Sequence, residues 1–311
     1  MILTVTLNPA IDRVYFLHSF EVGEVNRPAS MTYTAGGKGL NVSRVASILG
    51  EAVCATGFLG GYNGQFISQE LKRMGIEDSF IQIEGETRIC LNMTDQSTGR
   101  STEILEPGPV ISQQACEAFL SRFEEQLKRC DVVTISGSMP KGVPADFYCQ
   151  LVRAARRAGK RILVDTSGDS LARVLQEAPY LVKPNCYEAG KLMGSQIRTA
   201  SDIKAALRCF MQAGVELPVV SAGKDGAYCE AAGKLYHFTT PDIAVVNTVG
   251  SGDSFIAGAA VGLSRGLDTI AVIKLAMACG TANACFAQTG VVSQELVEKY
   301  YNQIDVIAIE E

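Results

Sequence analysis

The sequence predicts a three-layer α/β protein: a mostly parallel sheet flanked by helices, carrying a small antiparallel β lid. Three observations predict it. Short apolar runs recur at 2–7, 53–58, 131–135, 161–165, 180–183 and 217–222, each the length of a buried strand. Longer amphipathic stretches separate them, so strand and helix patterns alternate along the chain. Two more polar segments, at about 11–35 and 86–106, break that alternation.

The helices follow from spacing and punctuation. Asn63 to Gly75 places Phe66, Ile67, Leu71 and Met74 on one face and ends in glycine. Ser112 to Arg129 carries Ala115, Phe119, Phe123 and Leu127 at helical intervals. Pro144 to Gly159 opens with proline and closes with glycine, the usual asymmetry of helix ends. Stretches 199–213 and 268–285 read as two more helices. In the polar segments, Arg13-Val14-Tyr15-Phe16, Ile89-Cys90-Leu91-Asn92-Met93 and Thr102-Glu103-Ile104-Leu105 alternate as exposed strands do. Together they predict a small sheet standing off the main domain; separate surface hairpins are the alternative. No low-complexity linker or internal repeat interrupts the chain. One α/β domain over 1–311, with the lid inserted, is therefore expected.

Composition limits the function classes. A chain of 311 residues with 47% hydrophobic and 20% charged residues can bury a large core, which excludes disorder as its main state. A net charge of −5 argues against nucleic acid as a partner. No apolar run reaches the roughly 18 residues that cross a bilayer, so no membrane partner is expected. The start, Met1-Ile2-Leu3-Thr4-Val5-Thr6-Leu7, lacks a basic region and reads as a buried strand rather than an export signal, so a cytoplasmic location is expected. Ten cysteines show no CxxC spacing, and the histidines are His18 and His237 alone. That argues against zinc and reads the cysteines as reduced, buried hydrophobes. Neither histidine stands in a recognisable nucleophile setting, so a carboxylate is the more plausible base.

The strongest local signal is Asn247-Thr248-Val249-Gly250-Ser251-Gly252-Asp253-Ser254-Phe255, which runs into an apolar helix. A glycine-rich turn opening a helix gathers unpaired N–H groups and the positive end of the dipole, which suits a phosphate or oxyanion. Asp253 within that turn suits a general base; it equally suits a plain N-cap, and residue types alone do not separate the two. Neither GxxxxGK[ST] nor GxGxxG occurs, which removes the P-loop and weakens a dehydrogenase. A second turn, Gly36-Gly37-Lys38-Gly39-Leu40-Asn41-Val42, also opens a helix and adds a cation for phosphate. In Val182-Lys183-Pro184-Asn185-Cys186-Tyr187-Glu188, a strand end meets a helix start. Open α/β sheets bind ligands at such strand ends. Glu188 could position Mg²⁺ through water, or be an ordinary first-turn glutamate. Ser221-Ala222-Gly223-Lys224-Asp225-Gly226-Ala227 reads as a tight strand-to-strand turn with room for a nucleotide.

In this order, and over essentially the whole chain, the motifs resemble the ribokinase-like carbohydrate kinases of the PfkB type. The resemblance rests on Leu7-Asn8-Pro9-Ala10-Ile11-Asp12, Gly36 to Asn41, Ser136-Gly137-Ser138-Met139-Pro140, Lys183 to Glu188, Ser221-Ala222-Gly223 and Gly250-Ser251-Gly252-Asp253. It implies phosphoryl transfer from ATP, with Mg²⁺ and in some members a monovalent cation, to a sugar-phosphate hydroxyl. It also implies a homodimer clasped through the lid. By the resemblance Asp253 is the catalytic base and the amides of Gly250, Ser251 and Gly252 the anion hole. Asp12, Gly37 and Asn41 hold sugar hydroxyls; Lys38 and Arg88, with Ser138 nearby, hold the sugar phosphate. Lys183, Asn185, Ser221, Gly223 and Gly226 surround ATP, with Asn283 near the adenosine and Glu188 near the metal. Fructose-6-phosphate kinases of the family tend to have glycine where Lys38 stands. They also carry a lid arginine where Glu103 aligns. Lys38 and the Glu103…Glu106-Pro107-Gly108-Pro109 run point instead to the branches acting on fructose 1-phosphate or tagatose 6-phosphate. The expectation is fructose 1-phosphate converted to fructose 1,6-bisphosphate, with tagatose 6-phosphate as the alternative. A catalytically silent sugar or nucleotide sensor on the same fold is a further alternative. Leu105, where those relatives often carry asparagine, bears on sugar selectivity.

Overall fold

A computed structural model describes residues 1–231 and 233–309. The chain starts with β1 (Ile2–Thr6) and passes directly into the lid through β2 (Ala10–Leu17) and β3 (Ser30–Gly36). It returns through α1 (Lys38–Ile48), β4 (Val53–Gly60), α2 (Gly61–Arg73) and the short β5 (Glu77–Asp78) and β6 (Ile81–Ile83). A second excursion forms β7 (Arg88–Asp95) and β8 (Arg100–Leu105). Strand and helix then alternate: α3 (Gln113–Leu127), β9 (Val132–Ser136), α4 (Phe147–Arg157), β10 (Arg161–Asp165), α5 (Gly168–Leu175), β11 (Leu181–Val182), α6 (Cys186–Met193), α7 (Ala200–Gln212) and β12 (Leu217–Ser221). The hairpin β13 (Ala227–Ala231) and β14 (Lys234–Phe238) follows. Helices α8 (Ser251–Ser264), α9 (Thr269–Asn283) and α10 (Gln294–Gln303) lead to the edge strand β15 (Val306–Ile309).

Among the described residues the large sheet has eleven strands, in the order β15-β14-β13-β12-β11-β10-β9-β1-β4-β5, with β6 also on β4. From β12 to β5 every pairing is parallel; β13, β14 and β15 extend the sheet antiparallel. Alternate side chains feed two cores, as the period of a strand requires. Ile2 and Val132 pack with α1, α2, α8, α9 and α10; Leu3, Val5, Val133 and Ile135 pack with α3 to α7. That is the three-layer arrangement the alternation predicts. α8 is buried along nearly its whole length. Its glycines allow this, because a Cβ on Gly258 would lie 2.8 Å from the Cα of Ala276 in α9.

The lid forms from the two polar segments, in the order β3-β2-β7-β8. Its two hairpins, β2–β3 and β7–β8, are antiparallel, and β2 pairs with β7 in parallel. Both inner strands leave the main sheet outward, β2 from β1 and β7 after β6, so they can only meet side by side in one direction. All ten cysteines are free, and six of them are buried. Among the described residues, no helix is long and apolar enough to cross a membrane.

Candidate active site

The parallel strands β1, β9, β10, β11 and β12 end along one edge of the sheet, and the candidate residues gather there. Strand order places ligands at these carboxyl ends, where loops diverge. Asp165 ends β10, Ser138 follows β9, Lys183 follows β11 and Ser221 ends β12. The N-termini of α1 and α8 close the site from the layer above.

α8 begins at Gly250, which is left-handed with φ 83°. A Cβ there would come within 2.5 Å of Thr289, so both conformation and space require glycine. Ser251 N–H turns back to Thr248 O at 3.2 Å, which narrows the expected anion hole. The first N–H groups of a helix have no partner within it, and the amides of Gly250, Gly252 and Asp253 are what this turn presents. Asn283 braces the turn. Its Nδ2 donates to Val249 O at 2.9 Å, and its Oδ1 accepts from Gly290 N at 2.8 Å. Asn283 is fully buried with its amide spent in this way, a scaffold role beside the adenosine contact expected of it.

Asp253 lies in the first turn of α8 and is 5% exposed. Its side chain makes no cap hydrogen bond to its own helix. Instead Oδ2 accepts from Asn41 Nδ2 at 2.8 Å. Burial, reinforced by the charge of Asp165, pushes its carboxyl up to about 7; the Asn41 hydrogen bond, Lys38 and Lys183 act against that shift. A carboxylate so tuned can accept a proton near neutral pH.

Asp165 is a functional candidate that the motif reading missed. It sits between Lys38 Nζ at 3.6 Å and Lys183 Nζ at 3.7 Å. Burial alone would raise its carboxyl, but Lys183 and Lys38 together hold it below its ordinary value. Asp165 in turn raises Lys38 above the usual lysine range. The available signal was a carboxylate ending an apolar strand, Arg161-Ile162-Leu163-Val164-Asp165, at the sheet edge that binds ligands. Arg44 was also missed: nothing in the sequence around it marks it apart from other helix cations.

On one side of this ion cluster is a cleft of about 400 Å³ that Lys38, Arg88 and Ser138 share with Asn8, Ser136 and Leu105. Arg88 is held by neutral acceptors only: Asn8 O at 3.0 and 3.2 Å and Glu106 O at 3.1 Å. Arg88 also acts on Asp12 and Lys38 on Asp165, and the two cations line one cleft, which suits an anion. Asp12, Gly37 and Asn41 are not among the residues lining this cleft. The Asp12 carboxyl lies where a Cβ on Gly36 would stand. Burial pushes Asp12 up to about 6, against the pull of Arg44, Arg88 and the Gly37 amide.

On the other side is a groove of about 460 Å³ lined by Asn185, Ser221 and Gly223, with Tyr187 and Tyr228. Lys183 lies below it, against Asp165 and the start of α8. Gly226 is not among the lining residues. Its φ of 90° and the Phe238 carbonyl, 1.9 Å from where a Cβ would be, make it a hairpin requirement. A backbone contact from Gly226 to a nucleotide stays an expectation beside that structural role.

Glu188 accepts from Asn185 N at 3.0 Å, while Asn185 Oδ1 accepts from Glu188 N at 2.9 Å, a reciprocal cap on α6. Among the described residues, no group of three or more His, Cys, Asp or Glu assembles into a metal cage. Mg²⁺ keeps several waters and takes ligands from phosphates. The residues present fit that ion through solvent, with the half-buried Glu188 carboxylate one residue beyond the groove-lining Tyr187.

A buried carboxylate beside a helix N-terminus, with a cationic cleft and a second groove nearby, is an arrangement that suits phosphoryl transfer. The fold is that of a carbohydrate kinase. Residues 5–295 match the pfkB family of carbohydrate kinases, and the chain belongs to that family. It is 41% identical to a tagatose-6-phosphate kinase of Staphylococcus epidermidis over 99% of this chain and 100% of that one. Among solved structures, a "possible 1-phosphofructokinase" of Thermotoga maritima superposes with TM-score 0.90 at 29% identity, covering 100% of both chains. Phosphofructokinase-2 of Escherichia coli in complex with potassium superposes with TM-score 0.90 at 26% identity, over 97% of this chain and 98% of that one.

Proposed function

We propose that the protein transfers the γ-phosphoryl group of ATP to the free terminal hydroxyl of a ketohexose monophosphate, giving a 1,6-bisphosphate. The observation that carries this reading is Asp253. It is a buried carboxylate raised to about 7, hydrogen-bonded to Asn41 at the mouth of α8. Asp253 takes the hydroxyl proton as the oxygen bonds to the γ-phosphorus and the bond to the β-phosphate oxygen breaks. ADP leaves with that electron pair. The amides of Gly252 and Asp253 and the Lys183 ammonium face the charge on the transferred group. Lys38 and Arg88 anchor the phosphate already on the sugar, which fixes the hydroxyl at the other end of the chain for attack. Mg²⁺, reached by Glu188 through water, would neutralise the phosphate oxygens of ATP; a monovalent cation near the Gly250 turn would serve the same end.

Of the two candidate sugars, tagatose 6-phosphate is favoured by 41% identity along the whole of a tagatose-6-phosphate kinase. Fructose 1-phosphate, the expectation from the sequence, is the second reading, favoured by the full-length superposition on a possible 1-phosphofructokinase. A coupled ADP-release assay with Mg²⁺-ATP and each sugar phosphate tests both. A kcat/KM at least about tenfold higher for one sugar assigns it. No turnover with either, or with fructose 6-phosphate, would sink the kinase reading and leave a sensor on the same fold. Both substrates are sugar phosphates, which supports the cytoplasmic location expected from the sequence.

The lid completes the proposal. Cross-strand register puts Tyr33, Arg13, Leu91 and Ile104 in one row, on the face opposite Asp12 and Cys90. On that face Met31, Tyr33 and Ile104 are about half exposed. A second copy of the same lid is the partner that would cover it, forming a homodimer.

A further inference from the structure

Arg44, in the second turn of α1, ties together parts of the site that come from distant stretches of chain. Its guanidinium donates through Nη1 to Asn41 Oδ1 at 3.1 Å and to Thr289 O at 3.0 Å, and through Nη2 to Ala35 O. Ala35 is the penultimate residue of strand β3, where the lid joins the domain. Thr289 precedes Gly290, whose N–H holds Asn283, which in turn holds Val249 in the anion turn. Gly290 packs so closely that a Cβ there would lie 2.9 Å from Asn41 and 3.0 Å from Arg44 Nη1.

The chemistry of the donors fixes the direction. A guanidinium only donates, so the Asn41 edge facing it must be the oxygen. The opposite edge, the NH₂, then faces Asp253 and donates to Oδ2. A donated hydrogen bond favours the ionised carboxylate. If the carboxamide turned over, its oxygen would face Asp253 and favour the protonated acid instead.

We propose that Arg44 is a positioning residue that holds the Asn41 carboxamide in the orientation which keeps the base Asp253 ready to accept a proton. It couples that orientation to the inner end of the lid. This deepens the kinase reading and rests on Asp253 being the base. The other charged groups facing Asp253 are Asp165 from β10, Lys38 from α1 and Lys183 after β11. Those facing Arg44 are Asp12 from β2 and Glu70 from α2. Arg44 reaches Asp253 through Asn41, whose Oδ1 accepts from Arg44 Nη1 and whose Nδ2 donates to Asp253 Oδ2.

The test is a ¹³C NMR titration of the Asp253 carboxyl in the full-length protein, assigned by its loss in Asp253→Asn, run beside the pH profile of kcat/KM. Arg44→Met should raise the Asp253 midpoint by on the order of half a unit to one unit. Arg44→Lys, which keeps the charge but not the fork, should show part of that rise, and it carries the test should Arg44→Met not fold. In an Asn41→Ala background the Arg44 change should add no further shift. An unmoved midpoint in both Arg44 variants overturns the proposal, and so does an equal shift without Asn41. A midpoint that moves while the acid limb of the rate profile stays fixed would keep the Arg44 role but remove Asp253 as the base.

Discussion

Asn41 Nδ2 donates to Asp253 Oδ2 at 2.8 Å, joining the first turn of α8 to the first turns of α1 across 212 positions of sequence. Both residues are buried and both stand at helix starts above the same sheet edge. The contact sets one side of the base; the Lys38–Asp165–Lys183 cluster sets the other.

Replacing the base isolates the chemical step. Asp253→Asn keeps shape and removes the proton acceptor. We expect kcat to fall about 10²- to 10⁴-fold, with the dissociation constant for ATP little changed. Steady-state kinetics beside calorimetric ATP binding measure the two separately; a variant that keeps its turnover would remove Asp253 from the mechanism.

The same residue links pH to stability. Its carboxyl is raised in the folded protein to about 7 from an ordinary value of 3.8. Between those values the folded state holds more protons than the unfolded chain, so this group makes stability fall as pH rises from about 4 to 7. Asp12, raised to about 6, acts in the same direction. Asp253→Asn should therefore melt higher than the parent protein at pH 8, by on the order of several degrees. The gap should close near pH 4. Thermal melts across that range check the sign.

Asp165 carries the countercharge of two lysines in a buried setting. Asp165→Asn leaves both without it and should cost roughly 3 to 5 kcal/mol of stability. It also removes a negative neighbour of Asp253, so the acid limb of the rate profile should move to lower pH. Urea unfolding reads the first effect and a pH–rate profile the second. A higher-pH limb would show that Asp165 acts by shape rather than charge.

The cationic patch predicts selectivity for the sugar side. Lys38→Met and Arg88→Met should each raise KM for the sugar phosphate on the order of 10- to 100-fold, as loss of a charge-assisted hydrogen bond does. KM for ATP should hold for Arg88→Met. Equal increases for both substrates would place Arg88 outside the sugar-phosphate site.

The apolar face of the lid predicts assembly. Tyr33→Asp with Ile104→Asp puts charge into that face, away from the row containing Asp12. Sedimentation velocity should show the parent as a dimer and the double variant as a monomer. A monomeric parent would leave the lid face without a second copy as its cover.

The sequence by itself determined the layers. Apolar runs of strand length, amphipathic helices capped by Ser112, Asn185 and Thr199, and polar alternation in the lid are all local patterns. The main strands and the helices over 63–75, 112–129, 144–159, 199–213 and 268–285 were therefore legible, whereas α5, α10 and the short strands β5, β6 and β15 carry no comparable local pattern. The glycine turns at Gly37 and Gly250 were legible for the same reason: only glycine takes a positive φ at a helix start without strain. What only the tertiary structure decided is which groups meet. The parallel pairing of β2 with β7 depends on two excursions leaving the same edge. The place of Asp165 between Lys38 and Lys183 depends on the strand order β11-β10-β9 and on α1 lying over it. The scaffold contacts of Asn283 and Gly226 depend on backbone neighbours dozens of residues away or across a hairpin. The tuning of Asp253 belongs to this second kind, because burial and the field of distant charges are properties of the packed molecule and no local pattern of residues encodes them.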